Sequence, residues 1–142
     1  MIVCDVNVLV NAHRADAVDY ERYAAWLDET LEADEAYGVS EVVLSGFIRI
    51  ATNPRIMRIP STFDEAFGFA AELRELPNAV ILSPGPRHWG IFERLCRDAG
   101  ATGNLVPDAY LAALAIEHGA EVITADRDFA RFGGVRWRHP FN

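Results

Sequence analysis

Hydrophobic residues along the chain form short continuous runs, separated by longer stretches with helical spacing. The first run, Ile2–Val10, is apolar and rich in valine, which is typical of a buried strand. Other short runs and one brief extended piece predict strands at Tyr37–Val39, Ala79–Leu82, Glu121–Thr124 and Val135–Arg138, the last of them at a sheet edge. The pattern therefore predicts a sheet of about five short strands.

Helix signals fill the intervals between these strands. We expect one helix from Val18 to Ala36 capped by Asp16, and a second that is capped by Ser40 and runs through Ala51. A third begins at the Thr62–Glu65 capping box and runs to Leu76, and a fourth spans His88 to Ala99. A fifth has Pro107 in its first turn and ends at Gly119, and Asp128–Phe132 forms a short turn. Strands that alternate with helices form βαβ units. The prediction is an α/β fold: a three-layer α/β/α sandwich with a mostly parallel sheet.

Composition favours one globular domain over residues 1–142. Hydrophobic residues make up 51% and charged residues 24%, which excludes a disordered or collagen-like chain. The two cysteines give no disulfide framework, and no apolar run is long enough to span a bilayer. Because the N-terminus also lacks the basic start of a signal peptide, we expect a cytoplasmic protein without a membrane partner.

The net charge of −8 argues against a non-specific nucleic-acid binder, which needs a basic surface. Every basic side chain other than histidine is arginine, and the chain has no lysine. This excludes mechanisms that require an amine, such as a P-loop, a pyridoxal Schiff base or the phosphatases that combine a strand-end aspartate with a lysine.

Asp5 is the most informative acidic residue, because it interrupts an apolar run in which an unpaired charge would be costly. If Ile2–Val10 is a strand, Asp5 and Asn7 point to the same face. The alternative is a structural role for Asp5, as an acceptor of backbone hydrogen bonds near the strand end. Two polar residues on one face, at the sheet edge where α/β folds bind ligands, favour a functional site.

Other acids follow strands or begin helices. Glu41 and Asp108 each lie in a predicted first helical turn, where acids also stabilise the helix dipole. Asp126 and Asp128 follow the strand that ends at Thr124, and we expect Asp126 to face the site and Asp128 to cap the next turn.

Four such carboxylates in one place would repel one another, by roughly 4 kcal/mol for a pair about 4 Å apart at an effective dielectric of 20. A cation or protonation must relieve this repulsion. Oxygen ligands without nearby histidine or cysteine favour Mg²⁺ or Mn²⁺, and such ions commonly serve phosphodiester hydrolysis.

Four segments in this order and spacing resemble the PIN-domain nucleases, and more narrowly the VapC toxins of VapBC toxin–antitoxin systems. They are Ile2–Val10, Ser40–Glu41, Pro107–Ala115 and Thr124–Phe129. The resemblance implies a Mg²⁺- or Mn²⁺-dependent endoribonuclease that cleaves structured RNA of the tRNA or rRNA class. It also implies a homodimer and a VapB-type antitoxin whose C-terminal segment fills the active-site groove.

Carried over residue by residue, the resemblance implies a catalytic set of Asp5, Glu41, Asp108 and Asp126, with Asp5 and Asp108 as metal ligands. Asn7 and Thr124 match supporting positions, and Asp128 remains an alternative to Asp126.

Arginines near these segments are candidates for contacts to RNA phosphates, namely Arg14, Arg49 and Arg55, although for any single one a solvated surface position or a dimer salt bridge is the stronger expectation. Two other functions stay open at this point. One is a catalytically silent PIN-like module that binds RNA or protein, and the other is an acidic-site metal-dependent phosphatase.

Overall fold

Five short strands form one parallel sheet in the order β3-β2-β1-β4-β5, in a computed structural model that describes all residues from Met1 to Asn142. The strands are β1 (Ile2–Cys4), β2 (Tyr37–Val39), β3 (Ala79–Ile81), β4 (Glu121–Ile123) and β5 (Arg136–Arg138). Every neighbouring pair is parallel, and the first strand of the chain lies at the centre. The predicted parallel sheet of about five strands is confirmed, with β5 at an edge as expected.

Six α-helices and one 3₁₀ helix connect and cover the strands. They are α1 (Val6–His13), α2 (Tyr20–Glu32), α3 (Glu41–Ala51), α4 (Phe63–Arg74), α5 (His88–Ala99), α6 (Leu105–His118) and the 3₁₀ helix Arg127–Arg131. Helix α1 packs against α2 and α3, α3 packs against α4, and α5 packs against α6. None of these helices combines the length and the hydrophobicity needed to cross a bilayer.

Helix α6 lies deepest in the molecule, and four of its alanines have no exposed surface: Ala109, Ala112, Ala113 and Ala115. Small side chains allow neighbouring elements to approach closely, and a helix that is apolar on nearly all sides must be buried. This burial holds the first turn of α6, which carries Asp108, against the centre of the fold.

The prediction of one strand over Ile2–Val10 is wrong beyond Cys4. Asp5 has extended backbone angles and acts as the N-cap of α1, where its side chain accepts a hydrogen bond from the Val6 N–H. Val8, Leu9 and Ala12 then bury one face of the helix. A short apolar run is compatible with either a strand or a buried helix, and here the aspartate marks the boundary between the two.

The first long helix is shorter than the predicted Val18–Ala36. It begins at Tyr20, and Asp16 does not cap it because the Asp16 carboxylate is bound by the Arg14 guanidinium. The helix ends at Glu32, where Ala33 turns to an extended conformation.

Local capping signals placed the other helices well. Ser40 accepts a hydrogen bond from the Val43 N–H at the start of α3, and Thr62 and Glu65 form the predicted capping box of α4. Helix α5 has its predicted bounds, and α4 ends at Arg74, two residues before the predicted Leu76.

Candidate active site

The carboxyl ends of the central strands β1 and β4 meet the beginnings of α1 and α6 at one cleft of about 660 Å³. Asp5 and Asn7 line this cleft from the end of β1 and the start of α1, Asp108 from the first turn of α6, and Asp126 from the segment after β4. Three of the four acids predicted to be catalytic therefore share one cleft.

Asp5 is 7% exposed, and both of its carboxylate oxygens accept hydrogen bonds. Oδ1 accepts from the Val6 N–H at 2.7 Å, and Oδ2 accepts from the Asn7 side-chain amide and the Thr124 hydroxyl, each at 2.8 Å. The Asp5 backbone N–H also donates to the Ile123 carbonyl, so β1 remains paired with β4 up to this residue. The carboxylate is thus held in a single orientation by contacts from both sides.

Asn7 and Thr124 connect the start of α1 to the segment after β4. The Asn7 side chain donates to the Thr124 hydroxyl at 3.1 Å and accepts from the Ala125 N–H at 3.0 Å. The Thr124 hydroxyl also accepts from the Asp126 N–H at 3.0 Å. Asn7 and Asp5 are neighbours as predicted, but through the first turn of a helix rather than through strand alternation.

Burial and the negative charges of neighbouring carboxylates make Asp5 and Asp108 difficult to ionise. Burial raises the pKa of Asp108 from 3.8 to about 7, with further contributions from the negative charges of Asp5, Asp126 and Asp128. Burial also raises the pKa of Asp5, against hydrogen bonds from Thr124 and Val6 that lower it. No arginine or histidine forms a salt bridge with Asp5, Asp108 or Asp126, so the chain itself leaves their charge uncompensated.

The chemistry of these side chains fits a hard divalent cation. The groups at the cleft supply carboxylate and amide oxygens, without a histidine or cysteine ligand. No three histidine, cysteine, aspartate or glutamate side chains are grouped closely enough to hold an ion by themselves. Mg²⁺ is usually bound by one or two carboxylates, while water and substrate phosphates complete its coordination.

Glu41 does not join the other acids. Its carboxylate pairs with the Arg74 guanidinium at 3.1 Å, on the outer side of α3 and α4, and both side chains are largely exposed. The neighbouring residues Ser40 and Val42 line the cleft, whereas Glu41 does not. The predicted grouping of four acids is therefore wrong for Glu41 in this conformation, because an arginine from the end of α4 lies within reach of its carboxylate.

The predicted division of roles between Asp126 and Asp128 is wrong in part. Asp126 caps the 3₁₀ helix by accepting a hydrogen bond from the Asp128 N–H at 2.8 Å, and it also lines the cleft. Asp128 is exposed and is not the cap, but its negative charge contributes to the raised pKa of Asp108.

The three candidate arginines have different surroundings. Arg14 is largely buried and binds Asp16 and the Ser61 hydroxyl, which makes it a structural residue. Arg49 lines the cleft from the exposed side of α3, and it is the only cationic residue that does so. Arg55 is exposed and lies outside the cleft.

Several residues of the cleft were not predicted from the sequence. The polar side chains of Asn11, Ser45 and Asn104 line it, and so do the apolar side chains of Val10, Val42, Ile50, Ile56, Met57 and Leu111. Asn11 follows Asn7 by one helical turn, so helical spacing over residues 6–13 would have placed it on the same face.

Comparisons with known proteins agree with this architecture. A family model described as PIN domain matches residues 2–135. Ribonuclease VapC25 of Mycobacterium tuberculosis (strain ATCC 25618 / H37Rv) is 44% identical over 140 residues, which cover 99% of each chain.

Two solved structures share the fold. One is VapBC-1 from nontypeable Haemophilus influenzae, with a TM-score of 0.69, 16% identity and all of both chains covered. The other is M. tuberculosis VapC20, described as a sarcin-ricin loop cleaving toxin, with a TM-score of 0.66 and 18% identity over 96% of this chain and 99% of that one.

Proposed function

The chain belongs to the PIN-domain family, and within it to the VapC ribonucleases of toxin–antitoxin systems. From this premise we propose that it cleaves structured cellular RNA with Mg²⁺ or Mn²⁺ held at Asp5 and Asp108. The observation that carries the proposal is the cleft that Asp5, Asp108 and Asp126 line without a salt bridge to any basic residue of the chain. RNA of the tRNA or rRNA class is the proposed substrate, in the cytoplasm where such RNA is found.

Each side chain of the site has a distinct part in the proposed reaction. When bound, the ion lowers the pKa of a coordinated water and neutralises charge on the phosphate. Asp5 is pre-oriented for this ligand role by Thr124 and Asn7, which fix its carboxylate. Asp108, with its raised pKa, releases a proton more readily once a cation is near.

Two further side chains act on the substrate in this proposal. Asp126 uses Oδ1 for the Asp128 N–H, which leaves Oδ2 to accept a hydrogen bond from the attacking water. Arg49 supplies positive charge for a substrate phosphate. Glu41 could add a carboxylate only after its side chain leaves Arg74.

A VapB-type antitoxin is the proposed protein partner, and we propose that the toxin itself is a homodimer. The antitoxin is supported by the fold shared with VapBC-1, whereas the homodimer is proposed only from membership of the VapC family. A cleft with three uncompensated carboxylates is suited to an antitoxin segment that carries a cationic side chain.

Asp5→Asn tests the proposal directly. The variant keeps an N-cap side chain but loses the charge, so we expect RNA cleavage at least about 100-fold slower than wild type, because a lost ligand removes several kcal/mol of transition-state stabilisation. The measurement is the cleavage rate of end-labelled tRNA and rRNA in Mg²⁺, in Mn²⁺ and in EDTA, with circular dichroism as the check on folding.

Asp98→Asn is the matched control, because Asp98 is an exposed aspartate on α5 away from the cleft. Cleavage by Asp5→Asn at the wild-type rate would refute the ligand role of Asp5. Wild-type protein that binds RNA without cutting it in any metal would instead identify a silent module. Hydrolysis of small phosphate esters without RNA cleavage would identify a phosphatase.

A further inference from the structure

One half of the cleft is apolar and takes no part in the proposed chemistry. Its wall is built by α3 and the loop that follows, from Val42, Ile50, Ile56 and Met57. Val42 and Ile56 are each 55% exposed, so this hydrophobic surface faces water beside a group of carboxylates. Exposed apolar surface in a concave site is typical of a surface that a ligand covers.

The charges around the cleft restrict the chemistry of that ligand. Arg49 is the only cationic residue on the lining, and the three aspartates attract cations. A phosphate group is complementary to Arg49 and to an ion held by the aspartates, but it would lose hydration without compensation against valine and isoleucine. An RNA substrate that contacts both Arg49 and the apolar wall must therefore present a phosphate next to an uncharged group that has a large apolar face.

A nucleotide whose base is unstacked has this combination. Bases within a duplex are stacked on both faces and cannot lie against a protein wall, whereas bases in single-stranded loops can be splayed out and packed against side chains. Ser45 and Asn104 line the same cleft and provide neutral donors and acceptors for the edge of such a base.

We propose that the wall formed by Val42, Ile50, Ile56 and Met57 is a nucleobase subsite, which holds one unstacked base adjacent to the cleaved phosphodiester while Arg49 contacts a phosphate. The subsite deepens the proposed ribonuclease function and rests on it. It requires the RNA to be unpaired where it is cut, and it makes the apolar wall a determinant of sequence preference at that position.

Abasic substitution and one pair of isoleucine variants test the subsite. The substrates are an intact oligoribonucleotide that the wild-type protein cleaves and a series of its derivatives. Each derivative carries a single abasic residue at one of the positions that flank the cleavage site. The variants are Ile56→Ala and, as the matched control, Ile59→Ala, which alters an isoleucine of the same loop that is 74% exposed and outside the cleft.

For wild type, we expect an abasic residue at one flanking position to lower kcat/KM roughly tenfold, the size of effect that hydrophobic pockets produce. Ile56→Ala should lower kcat/KM on the intact substrate by a similar factor and show little additional loss on the abasic one, because both changes remove the same contact. Ile59→Ala should behave as wild type on every substrate.

Three other outcomes would overturn the subsite. If wild type cuts all abasic substrates within twofold of the intact one, and Ile56→Ala matches Ile59→Ala, the base does not contact the wall, while the ribonuclease assignment stands. If Ile56→Ala weakens antitoxin binding but leaves RNA cleavage unchanged, the wall docks protein instead. If wild type cuts no RNA at all, the proposed function fails together with the subsite.

Discussion

At the scale of single residues, the orientation of Asp5 depends on a threonine hydroxyl from the other end of the chain. Thr124 has no exposed surface, and its hydroxyl donates to Asp5 while it accepts from Asn7 and from the Asp126 N–H. One oxygen atom therefore links three groups of the site. Its removal should affect both the stability of the protein and the geometry of the carboxylate.

Thr124→Val tests this link, because the two side chains have nearly the same shape. We expect the free energy of unfolding to fall by about 1–3 kcal/mol, since buried donors lose their acceptor. Metal affinity should fall roughly 10- to 100-fold, as for other groups that orient a ligand. Urea unfolding and Mn²⁺ titration measure the two effects.

Thr30→Val is the control for Thr124→Val, because the Thr30 hydroxyl only donates to the Trp26 carbonyl on the surface helix α2. Equal losses of stability in the two variants, with unchanged Mn²⁺ affinity in Thr124→Val, would show that the hydroxyl does not organise the site.

Asp108 should make the stability of the metal-free protein depend on pH. Its pKa is about 7 in the folded protein and close to 3.8 in the unfolded chain, so the folded state binds more protons between these values. The free energy of unfolding therefore falls as the pH rises from about 4 to about 7. Urea unfolding in EDTA across this range should show a smaller fall for Asp108→Asn than for wild type.

The control for this pH dependence is Asp98→Asn. Because Asp98 is exposed, its replacement should leave the dependence of the unfolding free energy on pH as it is in wild type. A metal-free wild type whose unfolding free energy rises steadily from about pH 5 to pH 8, to the same extent as that of Asp108→Asn, would be incompatible with the repulsion described here.

At the scale of the elements, the sheet leaves no space for a side chain at Gly38 in β2. A Cβ there would lie 2.7 Å from the Leu82 Cδ1 and 3.0 Å from the Ile2 carbonyl oxygen of the central strand. The second contact is to backbone, which cannot move without disturbing the pairing of β1 with β2. Close approach of these strands therefore depends on glycine.

Gly38→Ala should destabilise the protein by about 1–3 kcal/mol through this overpacking. The matched control is Gly90→Ala in helix α5, where an added Cβ meets nothing within 4 Å. That change should stabilise the protein by about 0.5–1 kcal/mol, because alanine favours the helix. Thermal unfolding of both variants gives the comparison, and equal shifts of the two would contradict the steric argument.

Elements with local signals could be predicted from the sequence, whereas contacts between distant elements could not. Ser40 and the Thr62–Glu65 box placed the starts of α3 and α4 correctly, because a capping bond joins residues close in sequence. The apolar run after Cys4 fits a strand or a helix equally well, so its boundary at Asp5 was missed.

The site shows the same division. The placement of Asp5, Asp108 and Asp126 at one cleft could be predicted, because acids at strand ends and helix starts converge in a parallel sheet. The pairing of Glu41 with Arg74 depends on how α3 packs against α4, which no local pattern encodes. The apolar wall of Val42, Ile50, Ile56 and Met57 was missed because apolar residues at such positions are typical of an ordinary core.

At the scale of the whole molecule, a net charge of −8 and the uncompensated aspartates together predict that divalent cations stabilise the fold. An ion that binds only the folded state adds about 2.7 kcal/mol at a concentration 100 times its Kd. MnCl2 should therefore raise the Tm of wild type more than NaCl of equal ionic strength does.

Asp5→Asn and Asp108→Asn should each lose most of this divalent-specific increase, while Asp98→Asn keeps it. If NaCl raises the Tm as much as MnCl2 does, the effect is general charge screening, and the carboxylates do not form a cation site.

The position of β1 at the centre of the sheet has a consequence for the synthesis of the toxin. Asp5 leaves the ribosome 119 residues before Thr124, whose hydroxyl orients its carboxylate, and also well before β4, which flanks β1. A nascent chain that stalls before residue 121 lacks one neighbour of its central strand. We therefore expect truncated products that lack β4 and Thr124 to cleave no RNA, because the Asp5 carboxylate is not oriented in them.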